Sequence, residues 1–264
     1  MMKLFIALTA LLATAAAAPM EGRITNGDVA RVGQFPYQVG LSIAIGDSAA
    51  WCGGSVISKR WILTAAHCTD SADSVTVYVG ATKIKEEEPG QHRIHVEKSG
   101  IIVHEHWDPD LVVNDISLIK LPAELEFNDR VRAVTLPKKD GRYSTYADEL
   151  AIASGWGLDS DKSNAVSPVL RYVEQPIMSA ERCKKYWFTL INDNVICMST
   201  KGGKSTCQGD SGGPLVHKEG DISYLIGATS FGLSLGCEKN FPAVFTRITS
   251  YLDWIEDHSG VVNK

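Results

Sequence analysis

The stretch Cys207-Gln208-Gly209-Asp210-Ser211-Gly212-Gly213-Pro214 sets a serine among glycines. Far upstream, Leu63-Thr64-Ala65-Ala66-His67-Cys68 carries a histidine, and between them lies Asn114-Asp115-Ile116-Ser117-Leu118. A serine hydroxyl is a poor nucleophile at neutral pH unless a base takes its proton and donors hold the developing oxyanion. His67 offers a base whose ordinary pKa lies near the working pH. Asp115 can fix the tautomer of that imidazole. Gly209 tolerates backbone conformations that a Cβ forbids, so the Gly209 and Ser211 N–H groups can turn toward one point. Together these residue types suit acyl transfer through a covalent serine intermediate.

The order His, Asp, Ser, with these flanking residues, resembles the chymotrypsin-like (trypsin-fold) serine proteases from about Ile24 to the C-terminus. Within them it is most similar to insect chymotrypsin- and collagenase-type digestive endopeptidases. The resemblance implies that Ser211 attacks the scissile carbonyl, that His67 takes and returns the proton, and that Asp115 orients the imidazole. It also implies an oxyanion hole from Gly209 and Ser211. Gly22-Arg23-Ile24-Thr25-Asn26-Gly27 resembles the family's activation site. Cleavage after Arg23 by a trypsin-like protease would free the Ile24 ammonium to insert beside Asp210.

The same resemblance maps a specificity pocket onto Ser205, Ser230, Phe231, Gly232 and Ala243. Trypsin-like relatives place an aspartate where this chain has Ser205. A neutral base cannot compensate a buried Arg or Lys charge. Gly232 leaves the entrance open, and the methyl of Ala243, where glycine is common, is expected to narrow the pocket. The expected preference is for Phe, Tyr, Leu or Met. Ser230 to Gly232 should pair with an extended substrate as an added strand. Glu238 and Lys239 are candidate polar subsites.

Elements that could position such a site are short and β-rich. Tyr37 to Ile43 and Val75 to Val79 alternate with period two. Further strand candidates are Ile101–Val103, Ile116–Leu121, Leu150–Ser154, Pro214–Val216 and Tyr224–Ser230. Near the end, Thr249 or Ser250 can cap a helix carrying Tyr251, Leu252, Trp254, Ile255 and His258 on one side. Many short strands with one terminal helix predict an all-β barrel architecture. The resemblance sharpens this to two six-stranded antiparallel β-barrels with the site between them. A crossover is expected at about 121–136, its charged and proline content suiting a surface connection.

Lys3, the apolar run Leu4–Leu12 and the small residues Ala16-Ala17-Ala18 read as a secretory signal over residues 1–18. Residues 19–23 then form a short propeptide, and 24–264 the peptidase domain. No later apolar run is long enough to span a bilayer. Six cysteines in a secreted chain suggest three disulfides, with fifteen possible connectivities. The resemblance selects Cys52–Cys68, Cys183–Cys197 and Cys207–Cys237. No Cys–His cluster has zinc spacing, and no N-glycosylation sequon occurs.

The net charge of −5 comes without a basic stripe, which argues against nucleic acid as a partner. The expected partners are protein or peptide substrates, an activating protease and protein inhibitors, with no cofactor or metal and a monomeric working state. His104-Glu105-His106 lacks a third ligand, and Ala81 stands where calcium-binding relatives offer an acid, so Glu86-Glu87-Glu88 reads as a solvated run. Gly209 to Gly213 also satisfies G-x-S-x-G, with Asp221 or Asp253 and His258 downstream. That elbow needs a strand before the serine and a helix after it, which this context does not suit. A catalytically dead binding homologue would have lost a triad residue, and none is lost.

Overall fold

Alternate apolar side chains organise both halves of the chain. In the computed structural model, which describes residues 24–263, Val39, Leu41 and Ile43 of strand β2 (Gln38–Ile45) point into a core. They meet Val75, Val77 and Val79 of β5 (Ser74–Val79) there. The remaining strands of this half are β3 (Ser48–Val56), β4 (Trp61–Thr64), β6 (His92–Glu97), β7 (Ile101–Val103) and β8 (Ser117–Lys120). The sheet runs β6-β5-β2-β3-β4-β8-β7, antiparallel throughout. Its two edges, β6 and β7, are successive pieces of one segment broken by a 3-10 turn at Lys98–Gly100. The sheet thus curls so that one bent strand serves both margins.

The second half holds β9 (Leu150–Gly155), β10 (Arg171–Met178), β11 (Val195–Met198), β12 (Pro214–Glu219), β13 (Ile222–Phe231) and β14 (Ala243–Arg247). Here β10 pairs with both β11 and β9, closing the ring β10-β11-β14-β13-β12-β9. The two-residue strand β1 (Asp28–Val29) adds to β10 from outside. Ala153, Ile177, Ile196, Leu215, Ile226 and Phe245 fill this ring. A third cluster joins the halves, with Leu63 and Leu118 of one against Ile152, Val216 and Leu225 of the other. The all-β reading with a C-terminal helix matches this architecture; of the two expected six-stranded barrels, the second half closes as one, whereas the first is a curled seven-stranded sheet whose edge strands β6 and β7 do not pair.

Three disulfides form, Cys52–Cys68, Cys183–Cys197 and Cys207–Cys237, the pairing implied by the resemblance. Between the sheets, the chain runs from residue 121 to 149, longer than the expected crossover. It is not a solvated linker. Leu121, Leu125, Val131, Val134 and Leu136 are buried, and the backbone bonds to Lys59, Arg60 and Val56 of the first half and Ser223 of the second.

The terminal helix α3 (Leu252–Ser259) buries Leu252 and Ile255. Neither Thr249 nor Ser250 caps it. A 3-10 turn at Ile248–Tyr251 leads into it, so the start lies further back, and Ser250 Oγ donates to Asp193 O at 3.1 Å instead. Two helices were not foreseen. Helix α1 (Ala66–Thr69) is a single turn carrying His67, and α2 (Ala180–Trp187) is capped by Ser179, whose side chain accepts from Arg182 N. The signal and propeptide expectations fall outside the described residues.

Candidate active site

His67 stands in α1, directly after β4 and one residue before a disulfide cysteine. Asp115 precedes β8, which pairs with β4, so the ladder brings acid and imidazole together. Asp115 Oδ2 lies 2.8 Å from His67 Nδ1, and its Oδ1 accepts from the His67 backbone N–H at 2.9 Å. Ser230 Oγ donates to Oδ2 at 2.6 Å, and Thr246 Oγ1 donates to the Asp115 carbonyl at 2.7 Å. Tyr251 reaches back from the C-terminal turn to Asn114 Oδ1 at 3.0 Å. The carboxylate is 2% exposed and tied to both halves of the molecule.

Burial works against charge on both partners. It lowers the His67 pKa, but the hydrogen bond and charge of Asp115, with a smaller contribution from Asp70, outweigh it and the net direction is up. Burial raises the Asp115 pKa, yet His67 and the Ser230 hydroxyl hold it below the usual carboxylate range. An imidazole gripped through Nδ1 by an ionised acid, its Nε2 meeting only the disulfide sulfur of Cys68 at 3.8 Å among the described residues, is suited to general-base work.

Ser211 lies on the turn before β12. Its carbonyl accepts from Gly53 N at 2.7 Å, and Gly212 N donates to Thr229 O at 2.7 Å. Gly212, at φ +74°, sits so close to the Thr64 hydroxyl and to the Gly53 and Ala65 backbone that a Cβ there would collide with all three. Glycine is therefore what lets the serine turn dock against the histidine segment. Gly209 adopts φ +96°, and neither its N–H nor that of Ser211 has an acceptor among the described residues. Strand β12, not a helix, follows the serine, so the α/β-hydrolase elbow does not fit. His258, the histidine that reading needs, is engaged with Glu105 at 2.8 Å.

Asp210 is wholly buried and accepts from Gly157 N at 2.7 Å and Cys207 N at 2.9 Å. It has no cationic partner among the described residues. Burial pushes its carboxyl up to about 7, against the pull of those two N–H bonds. Side chains at Gly155 and Gly157 would strike this carboxylate. Ile24 is fully buried in the second-barrel core, and Thr25 bridges to Ser205.

A cavity of about 230 Å³ opens beside Ser211, lined by Ser205, Ser230, Phe231 and Gly232 among others. Ser205 Oγ turns to Thr206 O at 2.8 Å. Ala243 is not among the lining residues: buried at the head of β14, it pairs with Met198 in the core behind. Phe241 is part of the lining, braced at 6.0 Å by Trp187, which also meets Phe231 edge-on at 5.3 Å. Glu238 does not stand as an open subsite but bonds to Asn26 and Asp161.

Thr246, Tyr251, Trp187 and Phe241 were not singled out from sequence. For Thr246 and Tyr251 no local signal exists, because only the ladder and the final turn bring them to Asp115. His104-Glu105-His106 forms a seat for α3: His104 stacks on Trp254 at 5.1 Å, and Trp254 Nε1 donates to Glu105 Oε2 at 2.9 Å. Glu88, in the acidic run, accepts from Thr82 N at 2.5 Å and Lys83 N at 2.6 Å, stitching its loop shut.

Comparison with known proteins agrees with this geometry. The family model described as Trypsin matches residues 24–255. Serine protease 1 of Drosophila melanogaster is 46% identical over 92% of this chain and 88% of its own. Collagenase of Hypoderma lineatum is 41% identical over 92% and 89%. The solved structure of HL collagenase superposes with a TM-score of 0.81 at 39% identity, covering 91% of this chain and all of that one. Fold, motif order and family match converge: the chain belongs to the trypsin family, and it is a serine endopeptidase.

Proposed function

We propose that the protein is a secreted zymogen in which Ser211 is the nucleophile, His67 the general base and acid, and Asp115 the orienting carboxylate. The observation that carries this reading is the 2.8 Å contact of a buried Asp115 with His67 Nδ1, beside a glycine-bounded serine turn. In the forward step the Ser211 oxygen bonds to the scissile carbonyl carbon while His67 Nε2 takes its proton. The N–H groups of Gly209 and Ser211 hold the oxyanion. The imidazolium then protonates the leaving amine, and water repeats the cycle to release the acid.

Activation follows from Asp210. A wholly buried carboxylate without a cation is costly, and an ammonium freed at Ile24 by cleavage after Arg23 supplies charge and donors. The Thr25–Ser205 bridge supports a link from this new terminus to the pocket base. The neutral Ser205 and the aromatic walls favour Phe, Tyr, Leu or Met before the scissile bond. The signal-like leader supports secretion, and the reading is of a digestive enzyme working in a gut lumen on protein substrates, open to protein inhibitors. A trypsin-like protease is the expected activator. An organophosphate should label Ser211 stoichiometrically in the trypsin-activated protein and not in Ser211→Ala. An unlabelled but folded protein with a free Ile24 terminus would favour a binding homologue.

A further inference from the structure

Four segments meet beside the pocket mouth, and one carboxylate stands where they join. Asp161, in the loop after β9, accepts through Oδ1 from Cys237 N at 2.6 Å and from Glu238 N at 3.4 Å. Its own N–H donates to Glu238 Oε2 at 3.3 Å. Glu238 Oε1 accepts from Asn26 Nδ2 at 3.4 Å, and the same amide donates to Gly203 O at 3.1 Å. Gly236 and Cys237 line the cavity, and Gly236 holds φ +135°, a conformation that side-chain-bearing residues rarely adopt. This stretch belongs to no strand, so no ladder fixes it.

We propose that Asp161 is a positioning residue for substrate selection. Its carboxylate fixes residues 236–238 as one wall of the primary pocket and, through Glu238, joins that wall to the N-terminal segment at Asn26. The proposal rests on reading the cavity as the pocket for the side chain before the scissile bond. An ionised carboxylate suits the task because one oxygen can accept from two successive N–H groups, with charge assisting both. The Cys207–Cys237 disulfide tethers the same wall at one point. Gly236 N also donates to Leu233 O at 3.2 Å, and Asp161 adds the hold on the next two N–H groups, those of Cys237 and Glu238.

The test uses the full chain activated by trypsin, with peptide amides carrying Phe, Leu or Ala before the reporter. Asp161→Ala is expected to raise KM for the Phe and Leu substrates about fivefold to tenfold, with kcat within about twofold of the parent. The fraction of active Ser211 found by burst titration should not change. Asp161→Asn keeps an acceptor oxygen and should restore most of the KM. Glu238→Ala cuts the link to Asn26 and should raise KM about twofold to fivefold; no change there overturns the link. An unchanged KM in Asp161→Ala, or a lowered active fraction with KM fixed, overturns the positioning role while leaving the pocket reading intact. A parent enzyme indifferent to the residue before the scissile bond would remove the pocket reading and this proposal with it.

Discussion

Three donors converge on the Asp115 carboxylate and one more on its carbonyl, and their sources explain why the site forms only in the folded chain. His67 comes from the first half of the molecule, Ser230 and Thr246 from the second. Asp115→Asn would replace the group that raises the His67 pKa and leave the imidazole free to take the wrong tautomer. Turnover should fall by roughly 10⁴-fold, the scale known for the type triad of this family. Because the His67 pKa is raised, kcat/KM in the parent should rise with pH through a midpoint above the ordinary histidine value of about 6.5. A midpoint below that value would mean that burial, not Asp115, dominates.

Asp210 gives a second pH signature at the same scale. Its folded pKa of about 7 lies above the unfolded carboxylate value of about 3.9, so between these the folded chain keeps a proton that the unfolded chain has lost. The associated stability is present at acid pH and lost as pH rises toward 7. In an uncleaved Arg23→Gln background, Asp210→Asn should therefore stabilise the chain more at pH 8 than at pH 5 in urea unfolding, with each displaced pKa unit worth about 1.4 kcal/mol. Equal shifts at both pH values would mean that the uncleaved chain supplies the carboxylate with a cation. After cleavage the same Asp210→Asn change should abolish activity.

Among the elements, β2 and β5 were legible because one face of each meets a core and the other does not, which prints the period of two in the sequence. Strand β3 was not. Its buried end contains Gly53 and Gly54, which bear no side chain to mark a face and are required by close backbone neighbours. Strand β14 (Ala243–Arg247) was not foreseen either: it is five residues long and buried on both faces up to Arg247, so no period of two marks it. Helix α1 is too short for any periodicity, yet its His67 was found because chemistry, unlike helicity, is written in residue type. The triad and disulfides came from motif resemblance. The roles of Thr246, Tyr251 and Phe241 could not, since tertiary pairing alone places them. Register likewise sets Ala243 in the core opposite Met198, outside the lining of the cavity.

The loop at residues 81–91 carries a prediction of its own. Glu88 accepts two successive N–H groups, and Gln91 Nε2 donates to Lys83 O at 2.8 Å. Through Ile84 N and Thr82 O this loop is laced to Pro168 and Leu170 of the second half. Glu88→Gln should lower stability by about 1 kcal/mol, read as a reduced Tm, because this half-buried acceptor would lose its charge but not its shape. No change in Tm would show that the loop is held by its backbone bonds alone.

At the scale of the whole molecule, a curled sheet and a closed barrel share a core and a site, while the N-terminal segment buries Ile24 in the barrel and bridges to Ser205 through Thr25. Proteolysis after Arg23 would thus act on catalysis and selectivity together. Activity should decline at alkaline pH as the freed Ile24 ammonium, with an unperturbed pKa of about 8, loses its proton. Pairing with Asp210, as proposed, would move that decline upward. Arg23→Gln should remain inactive after trypsin treatment, and full activity in that uncleaved chain would contradict the zymogen reading.

The most direct measurement is cleavage of peptides ending in Phe, Leu, Ala or Arg before the reporter, after trypsin activation and trypsin inhibition, with Ser211→Ala alongside. Preference for Phe or Leu, absent from the Ser211→Ala control, is the predicted result. Dominant cleavage after Arg that disappears in the control would contradict the neutral Ser205 pocket. No cleavage despite a free Ile24 would contradict the catalytic assignment of Ser211.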